Sequence, residues 1–397
     1  MRGSLAMEDV ARVLSRAVDD GEVPGAVALV RRRGEVIWHE AFGLAATTPG
    51  SRPMTRETMF DLASVTKPLV GASVTLSLVD RGVLSLDDEV TTVLPELEKA
   101  KGKGVTFRRM LSHTSGLPGW RPLYAWTTDR NQILGVIDRL GMATDSGSRF
   151  EYSDLGFIVL GLALERITGR GLAEMASDLV FKPLGMARTG YLPSNASDEF
   201  AVTEEGNAFE KRMADWAGLE FSGWREGFYP GEVNDGNTHY ALAGVSAHAG
   251  AFSDASDLGL FGEMWLATLA GRDSRVLSRA IARLATSEQA PRGARRGLGW
   301  DLMKTGGPAL EELSRADAGF FPPAATPWIP RPSGELLSSS SFGHTGFTGT
   351  SIWIDPEREL VAILLTNATH PRVNPGKSIN SLRARFHNAV AATVDSI

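Results

Sequence analysis

Three short patterns in this chain could carry out chemistry without any cofactor. The first is Ser64-Val65-Thr66-Lys67, at the start of the most apolar helical stretch. Residues three apart share a helix face, so the lysine ammonium comes within reach of the serine oxygen. A helix N-terminus beside the serine favours developing negative charge. Burial lowers a lysine's pKa, and a partly neutral amine can take the serine proton and ready the oxygen for acyl transfer. With eight Lys in the chain, the spacing alone also fits an N-cap serine beside a snorkelling lysine.

The second pattern is Tyr152-Ser153-Asp154, opening another apolar helical run. A tyrosine there can shuttle protons if its hydroxyl faces Ser64; by itself it reads equally as packing. The third is Gly343-His344-Thr345-Gly346-Phe347-Thr348-Gly349-Thr350, running into a strand. Flanking glycines let a substrate backbone approach, and amide N–H groups can meet an oxyanion. Without context the segment reads as a turn.

Other chemistries lack their residues. There is no Cys, so thiol nucleophiles and zinc ribbons are excluded. No G-x-S-x-G, H-E-x-x-H, Walker or Rossmann pattern occurs, and the seven His show no metal-ligand spacing. No metal and no cofactor is therefore expected. A formal charge of −6 supplies no footprint for nucleic acid, and Arg31–Arg33 beside Gly34 reads as a solvated hairpin end. No run of 18 apolar residues predicts a membrane span. The N-terminus shows no apolar core of signal-peptide length, so a cytoplasmic location is expected. Oligomeric state is not legible.

The elements that must position these residues follow from periodicity. Residues 7–20 predict an amphipathic helix with Val10, Val13, Leu14 and Val18 on one face. Residues 26–30 and 36–42 predict a hairpin, and 59–62 a short strand. Residues 65–81 are apolar nearly all round, the mark of a central buried helix. Helical patterns continue at 106–112, 130–140, 152–168, 171–180 and 255–270. Residues 195–240 are irregular and aromatic, as a functional rim or lid would be. Strand texture returns at 297–303, 350–354 and 360–366, before a last helix at 378–396.

Strands at both ends around a helical middle predict an α+β fold. One antiparallel sheet, built from both chain ends and flanked by the N- and C-terminal helices, carries a large helical insertion. The expected division is 1–63 with 295–397 as the sheet part and 64–294 as the helical part. The site should lie in the cleft between them.

Together, Ser64-Val-Thr-Lys67, Leu111-Ser-His-Thr-Ser-Gly-Leu117, Tyr152-Ser-Asp154 and the Gly343–Pro356 segment resemble the serine β-lactamase/penicillin-binding-protein superfamily. The likeness is to its class C-like branch, which includes the family VIII carboxylesterases, and covers about residues 8 to 370. It implies a β-lactamase/transpeptidase-like fold, with Ser64 as acylated nucleophile and Lys67 as its proton acceptor. Tyr152 would be the second acid/base, activating water in deacylation. The triplet His344-Thr345-Gly346 would stand where the family has K-T-G, and the backbone amides of Ser64 and Phe347 would form an oxyanion hole.

Two departures bear on substrate. Asp154 stands where lactam-hydrolysing members usually carry Asn, and His344 replaces the lysine that meets a substrate carboxylate. Losing a permanent cation and gaining a carboxylate both disfavour anionic lactams or peptide termini. A literal Lys304-Thr305-Gly306 also occurs, but without the downstream strand arrangement. The segment Gly231–Gly250 resembles one found in relatives that include cell-wall amidases. It adds Asn234, Asp235 and His248 as candidates to line the cleft, beside the alternative of a loop stabilising its own turns.

The expected function is thus an acyl-enzyme serine hydrolase, foremost a carboxylesterase on short-chain or uncharged acyl esters or amides. A β-lactamase, a D-amino-acid peptidase and a peptidoglycan amidase are its rivals. A non-hydrolytic sensor or scaffold is the alternative from another class. The segments 195–240 and 318–341 are expected to shape the pockets.

Overall fold

The computed structural model describes residues 7–193, 197–273, 275–291, 294–303, 331–373 and 379–396. Helix α1 (Glu8–Asp19) buries Val10, Leu14 and Ala17 and places Glu8 and Asp9 in its first turn, where they complement the helix dipole. Strands β1 (Gly25–Arg32) and β2 (Glu35–Ala46) form the expected hairpin. Its turn residues Arg33 and Gly34 have φ of 52° and 85°, the twist that a two-residue hairpin requires.

The remaining strands are β3 (Arg52–Pro53), β4 (Phe60–Asp61), β5 (Gly190–Tyr191), β6 (Ala251–Ser253), β7 (Asp301–Leu302), β8 (Phe342–Thr345), β9 (Ser351–Asp355) and β10 (Leu360–Thr366). Seven of the ten strands form one antiparallel sheet in the order β3-β2-β1-β10-β9-β8-β7. Its centre joins the two ends of the chain, with Ala26 opposite Thr366 and Val30 opposite Ala362. All seven residues of β10 are buried. Each of its large aliphatics contributes about 1.5–3 kcal/mol relative to exposure.

Four further helices frame the site: α2 (Ser73–Asp80), α3 (Asp154–Thr168), α4 (Ala255–Leu269) and α5 (Ile379–Asp395). One face of the sheet packs Ala28, Val30, Ala362 and Leu364 against α1 and α5 through Val10, Leu14, Phe386 and Val390. The other packs Val27, Leu29, Val361 and Ile363 into the larger core that holds Phe261 and Trp265 of α4. No helix is long and apolar enough to cross a membrane among the described residues.

The structure departs from the sequence reading in several places. The helix expected over 65–81 is a 3₁₀ turn at Ala63–Val65, a π-helical turn at Lys67–Ala72 and then α2. Pro68 lacks the N–H that an α-ladder would offer to Ser64, and π turns recur at functional sites. Helix α3 begins at Asp154, with Ser153 as its cap, so Tyr152 precedes the helix. The expected strand at 297–303 shrinks to β7. Strand β8 forms where the residues alone read as a turn, and β4 joins a small sheet, β4-β6-β5, outside the large one. Such short strands leave no alternation to read. Within 195–240 the chain forms a helix at Ala208–Trp216 and a π turn at Asn237–Ala241. Lys304-Thr305-Gly306 and the 318–330 part of the expected pocket segment lie outside the described residues.

Candidate active site

Ser64 follows a chain reversal that the surroundings hold in place. Ala63 has φ of 45°, a left-handed conformation costly for a residue with a side chain. The buried Asp61 carboxylate pins it, accepting from Ala63 N at 2.8 Å and from Asn234 N at 2.6 Å. Burial raises the Asp61 carboxyl to about 6. From the sheet side, Thr348 Oγ1 donates to Asp61 O (2.7 Å) and Thr350 Oγ1 to Leu62 O (2.9 Å). The β8–β9 turn is thereby tied to the chain just before the serine. A Cβ on Gly346 would stand 2.2 Å from Thr350 Oγ1 and 2.3 Å from Leu62 O, so only glycine fits there.

The Lys67 side chain is fully buried. Its Nζ lies 2.9 Å from Ser64 Oγ, 3.3 Å from His248 O and 2.6 Å from Asp154 Oδ1. Ser64 and Lys67 both pull the Tyr152 pKa down against burial, and the ammonium sits 4.8 Å from the tyrosine ring centroid. The charge state is opposite to the one expected from burial. Burial does pull Lys67 down, but the Asp154 carboxylate and Tyr152 outweigh it and hold its pKa above the usual lysine value. Lys67 is an ammonium in the resting site. Burial raises Tyr152 despite the opposing pull of Lys67, so its hydroxyl is protonated.

Tyr152 is braced from behind by residues the sequence reading did not assign. His113 stacks on its ring at 4.3 Å, accepts from Ser153 N at Nδ1 (3.0 Å), and receives Glu151 N at its carbonyl (2.8 Å). Its place in the Leu111–Leu117 motif was the available signal. The Arg296 guanidinium lies 5.5 Å from the Tyr152 ring and 4.9 Å from that of Phe150. Nothing in its local sequence marks Arg296.

His344 requires a correction as a substrate contact. It is 2% exposed, donates from Nδ1 to Thr345 O (2.8 Å), and stands with its ring 6.2 Å from that of Tyr152. It borders neither cavity of the cleft. The pleat of β8 turns its side chain inward, and burial beside Arg296 and Lys67 holds it neutral, well below the usual histidine range. Thr345 and Gly346 do reach the cleft.

Two cavities meet at Ser64, Tyr152 and Phe347. The first, about 380 Å³, is also lined by Thr345, Gly346, Asn380 and Arg383. Arg383 is 4% exposed and donates to Gly346 O (2.6 Å), Thr350 O (2.8 Å) and Asn380 Oδ1 (2.8 Å). Its Nε has no hydrogen-bond partner. Burial pulls it down to about 9, which leaves it charged at neutral pH. Glu22, a carboxylate on that cavity, is engaged by Arg385 at 2.6 Å. Arg383 is therefore a cation that the sequence reading missed, on α5 and far from the three motifs.

The second cavity, about 320 Å³, brings together Asp154, Asn234, Asp235 and His248 with Trp120, Phe209 and Glu210. His248 bridges Asp235 Oδ1 (3.0 Å) and Ser246 Oγ (2.7 Å). Burial opposes the charge on Asp235, but His248 and two bonds from Thr238 outweigh it and hold the carboxyl down to about 2. Glu210 accepts from Tyr124 and Gly236, and burial beside Asp235 raises it well above the carboxylate range. Asn234 Oδ1 is buried without a partner. Among the described residues no cluster of three His, Asp or Glu is arranged to hold a metal ion.

The chain compares with known proteins over nearly its whole length. It is 30% identical over 401 residues to the N-acetylmuramyl-L-alanine amidase of Bacillus subtilis strain 168, spanning 94% of this chain and 84% of that one. A protein of Escherichia coli K12, provisionally named D-alanyl-D-alanine carboxypeptidase, is 27% identical over 93% of this chain and 84% of its own length. Among solved structures, EstCE1, described as a hydrolase with promiscuous acyltransferase activity, superposes with a TM-score of 0.69 at 23% identity, covering 96% of this chain and 99% of that one. A penicillin-binding-protein homologue from Caulobacter crescentus gives 0.70 at 20% identity, over 98% and 97%. The family model for β-lactamase matches residues 10–384, and the chain belongs to the β-lactamase family.

Proposed function

We propose that this protein is a serine hydrolase that works through an acyl-enzyme on Ser64, with carboxylic esters as its favoured substrates. The observation that carries this reading is Lys67 Nζ at 2.9 Å from Ser64 Oγ, with the Tyr152 ring 4.8 Å from that ammonium and on the same cavity as Ser64. Ser64 Oγ attacks the acyl carbon while the amides of Ser64 and Phe347 receive the oxyanion. Tyr152, protonated at rest, donates to the leaving group and then takes a proton from the water that releases the acyl group. Asp154 beside the serine supports a neutral acyl group over an anionic one.

The test uses a chromogenic short-chain ester, a chromogenic cephalosporin and intact-mass analysis. Ester turnover with a transient adduct on Ser64, lost in Ser64→Ala, is the expected result. Wild-type ester hydrolysis by Ser64→Ala overturns the reading, and a stable adduct without turnover makes the protein a sensor.

Arg383 favours a second reading. A guanidinium on the first cavity beside Ser64 suits a leaving group that ends in a carboxylate. That is the chemistry of a carboxypeptidase, the activity for which the E. coli relative is named. An amidase acting on a cell-wall peptide, as the B. subtilis relative is named, is the neighbouring possibility within the same mechanism.

A further inference from the structure

The charge state of Lys67 leaves the first proton transfer without an acceptor. An ammonium cannot take the Ser64 proton unless it gives one up at the same time. Tyr152 is protonated, and the other neighbour of Nζ, the His248 carbonyl, is no base. The group that remains is Asp154, whose Oδ1 stands 2.6 Å from Nζ. Ser64 Oγ, Lys67 Nζ and Asp154 Oδ1 thus form a chain of two short contacts, 2.9 Å and 2.6 Å.

Resting on the hydrolase reading above, we propose that the Asp154 carboxylate is the base that finally receives the Ser64 proton, with Lys67 relaying it. The Oγ–H bond breaks as a new Nζ–H bond forms, and a second Nζ–H bond breaks as Asp154 becomes a carboxylic acid. Lys67 is an ammonium before and after, and the electron pair freed on Oγ forms the bond to the acyl carbon. The proton stays on Asp154 until deacylation, when it returns through Lys67 to the Ser64 oxygen released from the acyl group, while Tyr152, having given its own proton to the leaving group, takes one from the attacking water. An asparagine at this position would hydrogen-bond the lysine but could not store the proton.

Placement supports this role. Asp154 is the first residue of α3, where Ser153 Oγ caps the helix by accepting from Gly156 N (2.9 Å). The cap fixes the backbone, and the Lys67 side chain is fully buried, with Tyr152 and Phe157 rings 4.8 and 5.7 Å from its ammonium. The ionisable groups that share the second cavity with Asp154 are Tyr152, Asp235, His248 and Glu210. His113, His344 and Arg296 pack around the tyrosine ring, and the Lys67 charge acts on both imidazoles. Asp235 and His248 engage each other, which leaves Asp154 as the carboxylate directed at Lys67.

The experiment follows the rate of Ser64 phosphonylation by a fluorophosphonate probe from pH 4 to pH 10, by intact mass, alongside ester kinetics. For the wild type the rate should rise along one acid limb and stay level through neutrality. Asp154→Asn should move that limb up by at least about two pH units and slow labelling at pH 7 by about 100-fold. Asp154→Glu, which keeps a carboxylate, should retain the low limb. Thermal melts establish that each variant is folded.

An Asp154→Asn protein with the wild-type limb and rate overturns the proposal. So does one in which only KM for the ester rises, since that is a substrate contact. A folded Asp154→Glu that titrates like Asp154→Asn also overturns it. Absence of any adduct on wild-type Ser64 refutes the hydrolase reading and this proposal together, whereas labelling with identical profiles in wild type and Asp154→Asn refutes this proposal alone.

Discussion

The Thr348 hydroxyl donates to the main-chain oxygen of Asp61 at 2.7 Å, tying the turn after β8 to the chain three residues ahead of Ser64. Asp61 is 3% exposed, so no bulk water replaces this bond once it is broken. Thr348→Val should cost about 1–3 kcal/mol, the penalty of an unsatisfied buried acceptor. It should also lower kcat for ester turnover more than it changes KM, because the separation of Ser64 and Phe347 would loosen. Denaturant melts and ester kinetics on the same preparation check both effects.

His344 tests whether a residue behind Tyr152 matters without touching substrate. His344→Ala opens space on the inner side of the tyrosine ring, from which the imidazole centroid lies 6.2 Å away. We expect kcat to fall about tenfold with KM nearly unchanged, the pattern of a lost transition-state interaction. A matching fall in substrate affinity would put the imidazole back in contact with substrate. Lys304→Ala should be nearly silent in the same assay.

Arg383 separates the two substrate readings. Arg383→Lys keeps a positive charge but loses the planar fork that grips Gly346 O, Thr350 O and Asn380. Within each protein, a neutral ester is compared with an ester whose leaving group carries a carboxylate. The ratio of their kcat/KM values should drop roughly tenfold in the variant if the guanidinium binds that carboxylate. An unchanged ratio would restrict Arg383 to holding the turn.

Stability should depend on pH through buried carboxyls. Burial raises Asp61 to about 6 and Glu204 to about 7. Their folded values lie above the unfolded ones, so the native state holds more protons between about pH 4 and 7. The stability they confer is present below pH 4 and is lost as pH rises through 6 and 7. Asp235, held down to about 2, acts in the opposite direction, supporting the fold above pH 4 and failing it in stronger acid. Glu204→Gln should flatten the decline between pH 5 and 7.5, measured as unfolding free energy in urea. One carboxyl that is protonated in the folded chain and ionised in the unfolded one tilts that free energy by about 1.4 kcal/mol per pH unit.

The amino-acid sequence alone narrows the type of chemistry. Without cysteine or metal-ligand spacing, Ser64 with Lys67 three residues on stood out as the candidate nucleophile pair. It also determined the main architecture. The β1–β2 hairpin and the buried run at 360–366 carry their periodicity locally, and two β regions around a helical middle imply one sheet closed by both ends. The motif at Leu111–Leu117 was visible, although the role of His113 as a brace for Tyr152 was not.

Charge and facing come from the folded arrangement. Burial by itself argues for a neutral Lys67, but Asp154, 87 positions along the chain, reverses that through a contact of 2.6 Å. Whether His344 points at substrate or behind Tyr152 depends on the pleat of β8, and nothing in the surrounding residues sets that phase. Arg383 belongs to the cleft only because α5 packs against the sheet beside β10. Composition and local spacing say which groups exist. Electrostatic energies fall steeply with separation and rise with burial, so their effect in this protein waited on the distances that folding sets.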